Sequence, residues 1–139
     1  HKGECMKPVH KHFIVRAEVK NPPKENDERR LVNWMRYLIQ DIDMKLLFGP
    51  IARYVDVEGN EGLTAIAMIE TSHISIHIWD ETTPALVQCD IYSCAEFQQG
   101  EVIMHLGIMK PKKIEYMMVD RSEEISCGPI IIHTKSPYP

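Results

Sequence analysis

Glu70-Thr71-Ser72-His73-Ile74-Ser75-Ile76-His77-Ile78-Trp79-Asp80-Glu81 lies near the middle of the chain and decides how the rest is read. Side chains alternate across a strand, so Ile74, Ile76 and Ile78 share one face while His73, Ser75, His77 and Trp79 share the other. An ordinary half-buried strand carries Lys, Thr or Glu on its wet side. Two histidines, a serine and a tryptophan point instead to a lined cavity or an interface. Histidines satisfied by neighbours on a sheet are common, so the residue types alone leave a purely structural role open. Glu70-Thr71-Ser72 interrupts the apolar run and predicts a bend or bulge, where a reactive backbone would need one.

Working outward, Thr64 to Ile69 is an apolar run leading into this strand, preceded by the acidic, glycine-containing loop Glu58-Gly59-Asn60-Glu61-Gly62. Leu46 to Val57 reads as a strand with a break at Gly49-Pro50. Before it, Leu31, Met35, Leu38 and Ile42 recur at helical spacing after an N-cap at Asn26 or Asp27, with acidic residues in the first turn. Phe13 to Val19 alternates as a first strand and stops at Asn21-Pro22-Pro23. Downstream, Ala85 to Ser93 is a strand whose polar side carries Leu86, Gln88, Asp90 and Tyr92 and is followed by Cys94. A second helix is expected over Ala95 to Lys110, weakened by Gly100 and Gly107, and a further strand over Lys113 to Val119. This order predicts an α+β, two-layer sandwich: a mostly antiparallel β-sheet with two helices on one face. The His/Ser/Trp face then needs its own cover. A second copy packed sheet to sheet in a two-fold homodimer is the economical one.

The 139 residues, 16.1 kDa, suit a single domain, placed here at 6–135. The opening His1-Lys2-Gly3-Glu4-Cys5 reads as a cloning remnant ahead of a natural start at Met6. Sixteen Lys and Arg against twenty Asp and Glu leave a formal charge of -4, which argues against nucleic acid as a partner. No apolar run is long enough to span a membrane, and no signal core opens the chain, so a cytoplasmic protein is expected. Cys5, Cys89, Cys94 and Cys127 form no close pair and read as free thiols in a reducing compartment. No metal site is read from these residues, since one would require His10, His12, His73 and His77 to converge.

The run from Glu70 to Glu81, followed by Gln88-Cys89-Asp90-Ile91-Tyr92-Ser93-Cys94, resembles the core of the prokaryotic S-adenosylmethionine decarboxylase proenzymes. Their pattern is Glu-Ser-His-hydrophobic-Ser/Thr-Ile-His-Thr-Trp-Pro-Glu, then a strand ending Asp-Val-Phe-Thr-Cys. The resemblance implies a chain that cuts itself at Thr71-Ser72 and makes a pyruvoyl cofactor from Ser72. The Ser72 hydroxyl would attack the Thr71 carbonyl, and elimination would release the upstream fragment and leave dehydroalanine, which hydrolyses to the pyruvoyl group. By the same resemblance His77 assists elimination, Thr64 supplies a hydroxyl for the first step, and Cys94 is the proton donor during decarboxylation. The pyruvoyl carbonyl would form a Schiff base with the α-amine of S-adenosylmethionine, a small-molecule substrate, in a reaction feeding spermidine biosynthesis.

Two positions depart from the family pattern. Thr71 stands where a glutamate is common. The family's aromatic-Leu-Pro-Tyr-Gly-Val-Ser segment is replaced by Glu58 to Thr64, and the carboxylates of Glu58 and Glu61 suit a cationic substrate group better than they stack on adenine. Two alternatives therefore stay open: a pyruvoyl decarboxylase of arginine or ornithine, and an unprocessed, non-catalytic homologue that binds a small cationic ligand.

Overall fold

Period-two alternation in the sequence becomes period-two burial in the fold. The computed structural model describes residues 8–134; the expected remnant at 1–5, Cys5 and both ends of the 6–135 domain lie outside them. The elements run β1 (Lys11–Val19), α1 (Glu28–Asp41), β2 (Leu46–Val55), β3 (Gly62–Ile69), β4 (Ser72–Trp79), β5 (Ala85–Ser93), α2 (Gln99–Leu106), β6 (Pro111–Asp120), β7 (Ser126–Cys127) and β8 (Ile131–His133). All strands join one sheet in the order β2-β3-β4-β5-β1-β6-β7, with β8 also on β6. These strand pairs are antiparallel throughout.

Register turns single alternating strands into rows across the sheet. Ala65, Ile76, Cys89 and Val15 face one another in sequence across β3, β4, β5 and β1; Ala67, Ile74, Ile91 and Phe13 form the next such row. These rows are buried. Against them pack Leu31, Trp34, Met35, Leu38 and Ile39 of α1 and Val102, Ile103 and Leu106 of α2. Both helices thus cover the isoleucine face of β4, in the expected two-layer α+β arrangement.

Three expectations need adjusting. The second helix does not begin at Ala95: the Ser93 hydroxyl accepts the Ala95 amide at 3.0 Å, and α2 starts only at Gln99. A side chain that captures a backbone N–H competes with helix, and residues 94–98 stay a loop. The helix also gives way to a 3-10 turn over Gly107–Met109. β2 stops at Val55 rather than Val57, with its register shifting around the Gly49-Pro50 break. The last apolar residues, left unassigned by pattern alone, supply β7 and β8 on the outer side of β6.

Gly62 is needed where β3 begins. Its φ is +148°, and a Cβ there would stand 1.7 Å from the Ile78 carbonyl oxygen, so no side chain fits. Ile76 tests the core rows: it is fully buried in the middle of β4. Ile76→Ala should destabilise the domain by about 3 kcal/mol. Urea unfolding should show a lower midpoint with an unchanged slope.

Candidate active site

The interruption at Glu70-Thr71-Ser72 is a tight turn. Ile69 and Ser72 are a paired position of the β3–β4 hairpin, leaving Glu70 and Thr71 as its two turn residues. Ser72 has φ +148°, a region that non-glycine residues avoid and that costs roughly 1–3 kcal/mol. The strain falls on the peptide Thr71-Ser72. What holds it is visible around Thr71, which is 3% exposed. The Cys94 amide donates to the Thr71 carbonyl at 2.9 Å. The Ser93 hydroxyl donates to Thr71 Oγ1 at 3.1 Å, and Thr71 Oγ1 donates to Met44 Sδ at 3.0 Å. A donor on a carbonyl draws charge toward its oxygen and makes its carbon a better electrophile.

Thr64 and His77 are cross-strand partners, with Thr64 Oγ1 and His77 Nδ1 3.1 Å apart. The His77 ring lies against Trp79, centroids 6.0 Å apart. They are not beside Ser72. His77 is five residues along β4 from Ser72, roughly 16 Å at strand rise, and an odd spacing sets the two on opposite faces. One chain therefore holds two separate groups: Ser72 with Thr71, Ser93 and Cys94 at one end of the hairpin, and Thr64 with His77 toward the other.

The loop proposed to meet substrate lies at the Thr64/His77 end. Glu81 organises it, accepting the Gly59 amide at 2.9 Å and the Glu61 amide at 2.8 Å, while the Trp79 indole donates to Asn60 Oδ1 at 2.7 Å. Glu58 is exposed and Glu61 half-buried. The backbone amides of Glu61 and Gly59 hold the Glu81 carboxyl below its usual range. Desolvation, and after it the charge of Glu81, pushes the Glu61 carboxyl up. Beneath them the Tyr54 hydroxyl donates to Asp80 at 3.2 Å; desolvation and then the Asp80 charge push it to about 12.

The cysteines divide. Cys89 and Cys127 are free, but Cys94 is disulfide-bonded, which corrects the expectation of free thiols at that position. Cys89 is buried among the core rows and burial pushes its thiol up to about 12, so it stays protonated and unreactive.

Sequence reasoning missed a cluster on the open face, at the end of the sheet where Ser72 and Ser93 pair. Tyr92 faces His73 and His12 across its two neighbouring strands. Its hydroxyl is 2.7 Å from His10 Nδ1, and the Arg121 guanidinium sits 4.1 Å above its ring. His12 bonds Asp90 at 2.8 Å. The histidine pattern was legible, but the arrival of Arg121 from beyond β6 was not. Two cavities of about 770 and 760 Å³ lie on the helix layer, and none of these residues lines them.

Comparison with known proteins gives one answer. The profile of the S-adenosylmethionine decarboxylase family matches residues 11–122. An S-adenosylmethionine decarboxylase proenzyme of Pyrobaculum arsenaticum is 34% identical over 104 residues, covering 69% of this chain and 74% of that one. A proenzyme of the same description from Persephonella marina is 32% identical over 81 residues, 55% of this chain and 53% of its own. In fold, the crystal structure of the adenosylmethionine decarboxylase from Aquifex aeolicus superposes with a TM-score of 0.59 over 95% of this chain and 94% of that one, at 14% identity.

Glu61 and Glu81 make opposite predictions. A carboxyl held low stabilises the fold above its ordinary value of 4.5 and loses that contribution as pH falls through the lowered one. A carboxyl pushed up does the reverse, because its ionised form is the disfavoured one. Thermal melts at pH 7 should show Glu81→Gln lowering Tm and Glu61→Gln raising it. Both differences from wild type should shrink as the buffer is acidified below the carboxylate range.

Proposed function

The chain belongs to the S-adenosylmethionine decarboxylase family, and from that premise we propose that it is a proenzyme that cuts itself at Thr71-Ser72 and then decarboxylates S-adenosylmethionine. The observation that carries this reading is the state of the scissile peptide: a two-residue turn, a strained Ser72 and a carbonyl bonded to the Cys94 amide. Ser72 Oγ adds to the Thr71 carbonyl carbon; the C–N bond breaks and an ester forms, relieving the unfavourable Ser72 backbone. Loss of the Ser72 α-proton and of the Thr71 carboxylate leaves dehydroalanine, and water replaces its nitrogen as ammonia. The residues at this position fit the resulting pyruvoyl group, since the serine that becomes it heads β4 and its upstream neighbour departs from a turn. When formed, that group supplies an electron sink for loss of carbon dioxide from an α-amino acid.

Each remaining residue has a place in this scheme. The Cys94 amide stabilises oxygen charge during the acyl shift. As a thiol, Cys94 returns a proton to the substrate carbon after decarboxylation, which requires its disulfide to be reduced and suits a cytoplasmic setting. Thr64 and His77 assist cleavage from a second copy, because in their own chain they stand too far from Ser72. A homodimer that brings the open sheet faces together covers His73, Ser75, His77 and Trp79 and lets each hairpin serve the other. Glu58 and Glu61, at the Thr64/His77 end, meet the positive charge of the sulfonium or amine.

Intact mass after incubation tests the first step. Wild type should give two fragments, the larger blocked at residue 72, and Ser72→Ala should remain one chain; a wild-type chain that stays whole would leave the non-catalytic reading standing. Mixing His77→Ala with Ser72→Ala, each inert alone, should restore cleavage of the His77→Ala chain if the help comes from a partner. Carbon dioxide release should require a thiol reductant, fall by about 100-fold or more in Cys94→Ala, and occur with S-adenosylmethionine in preference to arginine and ornithine.

A further inference from the structure

Outside the hairpin, the helix layer carries a second cluster that the decarboxylase chemistry does not use. We propose that Asp41, Glu101 and His105 form a binding site for a divalent first-row cation at the junction of α1 and α2. Glu101 and His105 are four residues apart on α2 and so share one face, and α1 delivers Asp41 as its last residue. One ligand atom from each lies within 4.8 Å of the other two. One imidazole with two carboxylates is a donor set that zinc and its neighbours accept, and water from the adjoining open cavity of about 760 Å³ can complete the shell.

Two features suit this cluster to a cation. The first is charge. His105 Nε2 is 2.7 Å from Asp41 Oδ2, but among the described residues the Glu101 carboxylate has neither a hydrogen bond nor an ion pair. Asp41 also stands at the C-terminal end of α1, where helix carbonyls concentrate negative charge and the last turn holds no basic residue. Arg29 and Arg30 reach the same cavity, yet Arg30 is turned toward Asp27, 3.8 Å away, at the other end of the helix. The second feature is rigidity. The Trp34 indole donates to the His105 carbonyl at 2.7 Å, and the two rings meet edge to face at 6.5 Å, so α1 fixes the backbone that carries the imidazole. Zinc bonds of about 2.0–2.1 Å put tetrahedral ligand atoms roughly 3.4 Å apart.

The site is independent of self-cleavage, so the test uses the Ser72→Ala chain. Zn²⁺ titrated into it by calorimetry should bind at one ion per chain and raise Tm, and Co²⁺ should give a visible spectrum that Zn²⁺ abolishes. Glu101→Gln and His105→Gln should each weaken binding by at least about ten-fold while melting normally without metal; His12→Gln, on the far face of the sheet, should leave it unchanged. Unsaturable binding, or equal affinity in the Glu101 and His105 variants, would overturn the assignment.

Discussion

The Cys94 amide donates to the Thr71 carbonyl at 2.9 Å, and this bond fastens the end of β5 to the turn between β3 and β4. It closes the sheet at that corner, because Ser72 and Ser93 are the last paired position of β4 and β5. It also holds a backbone conformation that an isolated hairpin would relax. A serine at φ +148° persists only when its surroundings over-determine it. Here the surroundings are the Ser93 hydroxyl and Cys94 amide at the end of β5 and Met44 from the connection between α1 and β2. A buried threonine at the turn gives all three something to hold.

The rest of the architecture follows from giving each sheet face a different task. Aliphatic rows on one face bury against α1 and α2 and supply the hydrophobic stabilisation. The opposite face stays open, with Thr64, His73, His77, Asp90 and Tyr92 along it and exposed Phe48, Ile66 and Met68 near its β2–β3 side. A sheet cannot bring residues five apart on one strand to a single point. The separation of Ser72 from His77 is thus a geometric consequence of the strand that carries both.

Much of this was legible in the sequence. β5 runs over Ala85–Ser93 as the alternation predicts, and α1 covers the expected amphipathic stretch. The interruption at Glu70 to Ser72 was readable as a break because it ended an isoleucine-rich run. The second helix was overextended at its start, since nothing in Ala95 to Gln98 announces that Ser93 will capture the Ala95 amide. The disulfide at Cys94 was equally hidden, because spacing along the chain carries no information about which cysteines approach.

Sequence alone determined the strand periods, the division of β4 into an aliphatic and a polar face, and the identity of the hydroxyl, imidazole and thiol residues, because these depend on local order and side-chain chemistry. Tertiary structure decided which of those residues meet. Antiparallel register paired Thr64 with His77, the β3–β4 turn set the strain at Ser72, and helix packing brought Asp41 to Glu101 and His105 across 60 residues of chain. Contacts of that kind are set by how the layers close over the core, and no period in the chain encodes them.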